Sequence, residues 1–111
     1  MIKAICLNFN ITPIFALQPL VTSKKPLGDI DKKSLAEIHP TIVNFVRLFY
    51  EEIKQQASTF DEFVDLSAVL DYNNRSDFRD LGHTGPYAQN DVAYALANFI
   101  ISIEKKSLQS N

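Results

Sequence analysis

The chain has 111 residues, of which 46% are hydrophobic and 22% are charged, and its formal net charge at pH 7 is −2. This length and composition predict one globular domain or part of one, and they exclude a disordered tail. The 11 basic residues are spread along the chain beside 13 acidic ones. Because no basic stripe is present to neutralise phosphates, a nucleic-acid partner is not expected.

Cys6 is the only cysteine in the sequence, so an internal disulfide is excluded and neither a metal nor a cofactor is predicted. No apolar run reaches the roughly 18–20 residues that a membrane span needs. The segment 1–7 is not interpreted as a signal peptide, because no small-residue cleavage site follows it. The compartment therefore stays undetermined.

The first elements in chain order are a helix end and a buried strand. Ile2, Ile5 and Cys6 have helical spacing within residues 1–8, which predicts that Cys6 is a core side chain. The continuous apolar run 14–17 is bounded by prolines. Such a run is typical of a strand that is buried on both faces, as parallel strands are.

A polar loop and a long helix are predicted next. Residues 18–33 contain prolines, a glycine and several lysines, which favours a loop. Ser34-x-x-Glu37 has the form of a capping box, so we expect a helical turn to begin at Ser34. Pro40 favours a new helix start, and the helix should run to about Ser58. Four apolar side chains share one face of this helix at three- and four-residue steps: Ile42, Phe45, Phe49 and Ile53.

The remaining elements are a second strand, a long loop and a final helix. Residues 63–66 predict the strand, and residues 71–86 are rich in Asn, Asp and Gly and predict the loop. The final helix carries an apolar stripe formed by Val92, Leu96, Phe99, Ile100 and Ile103. Helices that alternate with strands in this way indicate α/β units and a parallel sheet.

A candidate site lies at one edge of this predicted sheet. If the two strands are parallel, Gln18 and the loop 71–86 both follow carboxyl ends at the same edge, where open α/β sheets bind ligands. Within that loop, Asp80 and His83 form a candidate acid/base pair. A histidine that acts as a general base needs an acceptor on its second ring nitrogen, and an Asp three residues earlier in a turn can reach that nitrogen.

Several alternatives stay open for these polar residues. His83 is also compatible with an exposed loop histidine beside turn-forming aspartates, and Gln18 with satisfying backbone groups at the strand end. Asp77 competes as the partner of His83, although a turn or cap role is favoured for it. His39 is predicted to be a partly exposed capping residue. Four further side chains either line a substrate cleft or are ordinary loop residues: Tyr72, Asn73, Asn74 and Tyr87.

The segment Asp80-Leu81-Gly82-His83-Thr84, followed after six residues by Asp91-Val92-Ala93, resembles the last motif block of SGNH/GDSL-type hydrolases. In that family an Asp-x-x-His pair precedes the final helix. Ala88-Gln89 stands where the family commonly has Gly-Asn, so the match is partial. The segment 11–19 is similar to the family's strand that ends in Gln-Pro, and the segment 63–67 resembles the strand before the catalytic loop. The resemblance covers about residues 1–104.

This resemblance implies a flavodoxin-like, three-layer α/β/α fold with parallel strands, of which residues 1–111 would be the C-terminal part. It also implies hydrolysis of carbohydrate or lipid esters. In that chemistry Asp80 orients His83, and His83 takes the proton of a nucleophilic Ser. Gln18 and Tyr87 are the candidate cleft residues.

The family's Gly-Asp-Ser nucleophile segment and its Gly-x-Asn-Asp segment are not found in these 111 residues. Gly28-Asp29-Ile30-Asp31 has Ile where Ser would stand and follows the wrong strand. We therefore expect a truncated chain, which is a fragment, the product of a split gene or the result of a late start codon, and which is inactive alone and pairs with a missing N-terminal half. The alternative is a small acidic α/β interaction module in which Asp80 and His83 are merely structural.

Overall fold

The computed structural model describes residues 1–109, and within them the fold is α/β, with four helices and one two-stranded sheet. The elements in chain order are α1 (Ile2–Asn8), β1 (Phe15–Leu17), α2 (Asp29–Ala36), α3 (Pro40–Ala57), β2 (Phe63–Asp65) and α4 (Pro86–Gln109). None of the helices in the described range is both long and apolar enough to cross a bilayer.

The two strands are parallel, which confirms the predicted pairing. Ala16 lies opposite Val64 in the register. The backbone N–H of Phe15 donates to the carbonyl of Glu62 at 2.9 Å, and that of Leu66 donates to the carbonyl of Leu17 at 2.9 Å. Since both strands end at the same edge, the segments that follow them leave the sheet side by side.

Residues 18–28 form a loop as predicted, but the loop does not continue to residue 33, and the predicted helix start at Ser34 is wrong. Helix α2 begins at Asp29 with Gly28 as its N-cap, and Ser34 is a buried residue within the helix. The start is stabilised by Asp31 at the third helical position, whose carboxylate accepts the Gly28 N–H at 3.0 Å. An acidic group in the first turn also complements the helix dipole.

Helix α3 begins at Pro40 as predicted, and it ends at Ala57. His39 is its N-cap, and the ring nitrogen Nδ1 accepts the N–H of Thr41 at 3.2 Å, so the predicted capping role is confirmed. The predicted apolar face is largely uncovered, because three of its four side chains are exposed: Ile42, Phe45 and Phe49.

Helix α4 begins at Pro86, five residues before the Asp91 position that the motif comparison indicated. Proline has a fixed φ that suits the first position of a helix, and its missing N–H costs nothing there. Ala88 is consequently a fully buried helical residue.

The hydrophobic core lies beneath the loops that follow the two strands. Its buried residues are Val21, Leu70, Phe78 and Ala88, and each comes from a loop or from the first turn of α4. Helix α1 buries none of its residues, and Cys6 is only partly buried. The predicted core position of Cys6 is therefore wrong, because α1 does not pack its apolar stripe into this core.

Candidate active site

Asp80 and His83 form a hydrogen-bonded pair in the loop between β2 and α4. The distance from Asp80 Oδ2 to His83 Nδ1 is 2.7 Å. The second carboxylate oxygen of Asp80 accepts the backbone N–H of His83 at 2.7 Å and that of Gly82 at 3.0 Å. One carboxylate therefore holds both the imidazole ring and the turn that carries it.

These contacts favour the ionised form of Asp80. The backbone N–H of His83, the His83 side chain and the backbone N–H of Gly82 lower the pKa of Asp80 from 3.8 to about 2. A carboxylate that stays ionised accepts a hydrogen bond from Nδ1–H, which fixes the ring tautomer and leaves Nε2 unprotonated in the neutral ring.

The imidazole of His83 is largely exposed to solvent. Its side chain is 88% exposed and that of Asp80 is 55% exposed. Among the described residues, His83 Nε2 has no hydrogen-bond partner. An oriented ring with one free nitrogen has the arrangement of a general base or acid.

The backbone around the pair forms a short hairpin. Phe78 and Thr84 make an isolated antiparallel bridge, and the N–H of Arg79 donates to the carbonyl of His83 at 2.9 Å. The N–H of Val21 donates to the carbonyl of Leu81 at 3.0 Å, which ties the hairpin to the segment after β1. We call residues 78–84 the histidine hairpin.

Gln18 lies beside the histidine hairpin, as the shared sheet edge predicted. A Cβ atom at Gly82 would be 3.5 Å from Gln18 Nε2 and 3.2 Å from a methyl carbon of Leu20. The carbonyl of Gln18 accepts the hydroxyl hydrogen of Tyr50 at 2.9 Å. Tyr50 therefore fixes the backbone at the end of β1, a role that its position within α3 did not reveal.

Tyr87 lies in a depression at the base of the histidine hairpin. It lines a depression of about 180 Å³ with Arg75 and Pro86, and neither Asp80 nor His83 lines that depression. The Tyr87 ring lies 5.7 Å from the guanidinium carbon of Arg75, a cation–π contact. The structure thus places Gln18 next to Gly82 of the hairpin, whereas Tyr87 lies near the hairpin residues Phe78 and Arg79.

The other three loop candidates are Tyr72, Asn73 and Asn74. Asn73 makes two turn hydrogen bonds, from Nδ2 to the Leu70 carbonyl at 2.8 Å and from the Arg75 N–H to Oδ1 at 3.1 Å. Tyr72 is 96% exposed and has a positive φ of 69°. Asn74 is exposed.

Asp77 has neither the predicted turn or cap role nor the alternative role as partner of His83. It is buried, and its carboxylate lies 2.6 Å from Arg75 Nε and 3.0 Å from Lys24 Nζ. Lys24 in turn lies 2.7 Å from the carboxylate of the buried Asp31. Two carboxylates therefore share one buried ammonium, and Arg75 extends the network to Asp91 at 2.6 Å.

The sequence prediction missed this network of Lys24, Asp31 and Asp77. Its members lie 46 residues apart along the chain at the Asp31–Asp77 contact, and no local motif links them. The sequence contains no signal for this network, because Lys24 and Asp31 lie in a polar stretch and their partners lie in the segment 75–78.

No group of three or more His, Cys, Asp and Glu side chains in residues 1–109 is arranged to hold a metal ion. Comparisons with protein-family models, with curated proteins and with solved structures found no match to this chain.

Proposed function

We propose that this chain is the C-terminal part of an SGNH/GDSL-type ester hydrolase and that Asp80 and His83 are its acid/base pair. The observation that carries the proposal is the 2.7 Å contact between Asp80 Oδ2 and His83 Nδ1, while Nε2 has no hydrogen-bond partner in residues 1–109 and Gln18 lies beside the hairpin. The motif order Gln-Pro strand, short strand, Asp-x-x-His and final helix supports the same family.

The proposed chemistry divides the reaction between two segments of one domain. An upstream segment supplies the Ser nucleophile and the oxyanion donors, and the Ser oxygen attacks the ester carbonyl. His83 Nε2 takes the Ser proton and later delivers it to the leaving alkoxide, while Asp80 stabilises the imidazolium. A water molecule activated by His83 then releases the acid from the acyl-enzyme.

The sheet supports the idea that further strands complete the domain. A two-stranded sheet is marginal by itself, and β1 pairs only with β2 among the described residues. An open apolar cleft of about 300 Å³ lies between the sheet and α3, lined in part by Phe15, Ile53 and Phe63. We propose that upstream strands continue this sheet into a flavodoxin-like α/β/α domain.

The first test is the DNA before the Met1 codon. The proposal requires an in-frame strand followed by Gly-Asp-Ser and later by Gly-x-Asn-Asp. The protein that includes this upstream segment should hydrolyse p-nitrophenyl acetate and acetylated sugars. The substitution His83→Ala should lower kcat by at least about 10³-fold, as removal of a triad base does elsewhere.

A second substitution separates catalysis from folding. In the longer protein, Asp80→Asn should lower kcat by roughly 10⁴-fold with little change in KM, because the ring would lose its enforced tautomer. The matched control is Asp29→Asn, an exposed carboxylate on α2, which should leave kcat unchanged. An unrelated upstream sequence, together with a stable monomeric chain, would favour the interaction module instead.

A further inference from the structure

We infer that the buried carboxylate of Asp31 is a positioning residue for the Asp80–His83 pair, because it fixes the backbone from which the histidine hairpin projects. The catalytic meaning of this role rests on the proposed function. The structural coupling itself does not, and it is tested separately.

Asp31 is completely buried, and its two oxygens receive four N–H donors. Oδ1 accepts the backbone N–H of Asp77 at 2.8 Å and that of Phe78 at 2.7 Å. Oδ2 accepts the N–H of Gly28 at 3.0 Å and the ammonium of Lys24 at 2.7 Å. Two successive peptide N–H groups therefore converge on one carboxylate oxygen, which specifies the backbone conformation at residues 77–78.

Lys24 makes further contacts that join Asp31 to the segment 75–78. Its ammonium also donates to the carbonyl of Arg75 and lies 3.0 Å from Asp77 Oδ2. Burial alone would raise the pKa of Asp31, but the hydrogen bonds from Lys24 and from the Phe78, Gly28 and Asp77 N–H groups outweigh it, and the pKa is lowered. Asp31 therefore remains an anion while it binds the segment 75–78.

The segment that Asp31 fixes is the base of the histidine hairpin. Phe78 is the first residue of the hairpin and bridges to Thr84. The carbonyl of Phe78 also accepts the Ser34 hydroxyl at 3.3 Å, so α2 contacts both polar backbone groups of Phe78. Asp80 follows Phe78 by only two residues, so the bond from Phe78 to Asp31 restricts where the Asp80 carboxylate can lie.

Gly28 lets the start of α2 approach the hairpin base closely, because it has no side chain. A Cβ atom at this position would lie 2.7 Å from the backbone nitrogen of Ser76 and 2.8 Å from the carbonyl carbon of Arg75. The start of α2 and the segment before the hairpin therefore pack as backbone against backbone. This contact places the Asp31 carboxylate within reach of the Asp77 and Phe78 N–H groups.

A buried ion pair by itself is weak evidence for a stabilising role, because apolar residues of similar volume can often replace such a pair without loss of stability. Apolar residues could not satisfy the two N–H groups at positions 77 and 78. The carboxylate thus specifies one backbone geometry at the hairpin base, which is the property that a positioning residue requires.

The test uses the 111-residue chain and nuclear magnetic resonance of two reporters. The ring ¹⁵N shifts of His83 give its tautomer, and the carboxyl ¹³C shift of Asp80 gives the midpoint of its titration. Asp31→Asn should move the Asp80 midpoint from about 2 up by at least about one unit, toward the ordinary aspartate value near 4. It should also turn His83 from the Nδ1–H form into a mixture of tautomers. Asp80→Ala provides the reference spectrum of an unpaired ring, because an asparagine amide could still form a hydrogen bond with Nδ1.

Two controls separate positioning from general loss of stability. Asp29→Asn changes an exposed carboxylate of the same helix and should alter neither reporter. Leu35→Ala removes a partly buried contact to the core, so it should lower stability while both reporters keep their values in the folded state. If Asp31→Asn folds and leaves both reporters unchanged, the inference is wrong.

A measurement on the unmodified chain covers the case in which Asp31→Asn does not fold. The amide hydrogens of Asp77 and Phe78 should exchange as slowly as those of the core, because both are bonded to a buried anion. Fast exchange at these two amides would overturn the inference. Neither result depends on ester hydrolysis, so the inference and the proposed function can fail separately.

Discussion

The backbone N–H of Phe78 donates a hydrogen bond of 2.7 Å to the carboxylate of Asp31, a residue 47 positions earlier in the chain. This bond joins the start of α2 to the hairpin that carries His83. Helix α2, in the first third of the chain, thereby fixes the position of a loop in the last third. The geometry of the Asp80–His83 pair depends on this long-range contact as well as on the local turn.

The first prediction concerns the stability of the chain at acidic pH. The pKa of Asp80 is lowered from 3.8 to about 2, so Asp80 binds protons more weakly in the folded chain than in the unfolded chain. Its contribution to the free energy of unfolding is complete above about pH 4 and is lost as the pH falls through about 2. The measurement is chemical unfolding of the parent chain and of Asp80→Asn between pH 5 and pH 2.

The parent chain should lose more stability across that interval than Asp80→Asn does. The difference should arise between about pH 4 and pH 2, because this is the interval between the unfolded and folded pKa values. Identical pH profiles for the two proteins would contradict the hydrogen bonding described for Asp80.

The second prediction compares two glycines. Gly28→Ala should lower the free energy of unfolding by about 1–3 kcal/mol, because the new methyl group would lie 2.7 Å from the Ser76 nitrogen. Gly85→Ala is the matched control, since a Cβ there has no atom of the described residues within 4 Å and the φ of Gly85 is not positive. Gly85 precedes the first residue of α4, and Ala is less favourable than Gly at a helix N-cap, so the effect should lie between no change and a loss of about 1 kcal/mol. Equal unfolding midpoints in urea would refute the close backbone contact at Gly28.

The local features of the fold were predictable from the sequence. The apolar runs 14–17 and 63–66 indicated two strands, and their pairing is parallel as predicted. The prediction that the first strand is buried on both faces is wrong, because Ala16 in the middle of β1 is exposed. Pro40 marked a helix start with His39 as its cap. Asp80 and His83 are three residues apart, so a turn alone brings them together. Each of these features depends on neighbours within a few positions.

The features that sequence analysis missed depend on distant contacts. Helix α2 offers few apolar positions, and Gly28 rather than Ser or Thr caps it, so its residues had the pattern of a loop. Asp31 and Lys24 lack a recognisable motif, because their partners lie in the segment 75–78. The exposure of the apolar face of α3 could not be predicted either, because periodicity identifies an apolar face without identifying what covers it.

The third prediction concerns that exposed face of α3. The rings of Phe45 and Phe49 are stacked 6.0 Å apart and are 66% and 52% exposed. Apolar surface of this kind favours association, so the isolated chain should self-associate at micromolar concentration. Replacing both phenylalanines with lysine should yield a monomer in sedimentation velocity. The free energy of unfolding should change by no more than about 1 kcal/mol, because exposed positions contribute little to it.

The control for this prediction is Tyr94→Lys, which replaces an aromatic side chain that is 73% exposed on α4. It should leave the self-association unchanged if the α3 face is responsible. A parent chain that stays monomeric at all concentrations and unfolds cooperatively at high temperature would contradict both this prediction and the proposal of a missing half.

The last prediction concerns Tyr50, which joins α3 to the end of β1. Burial of the phenol, together with the negative charge of Asp65, raises the pKa of Tyr50 to about 12. The neutral hydroxyl donates to the Gln18 carbonyl, so its contribution to stability is present below about pH 10 and is lost as the pH rises toward 12.

Phenolate absorbance measures this titration directly, as the difference between the parent chain and Tyr50→Phe. The midpoint of the difference should lie near 12, and Asp65→Asn should lower it because one source of negative charge is removed. Tyr50→Phe should also lower the free energy of unfolding at pH 7 by about 0.5–1.5 kcal/mol through the lost hydrogen bond. A midpoint near the ordinary tyrosine value of about 10 would mean that Tyr50 does not hold the strand end beside the histidine hairpin.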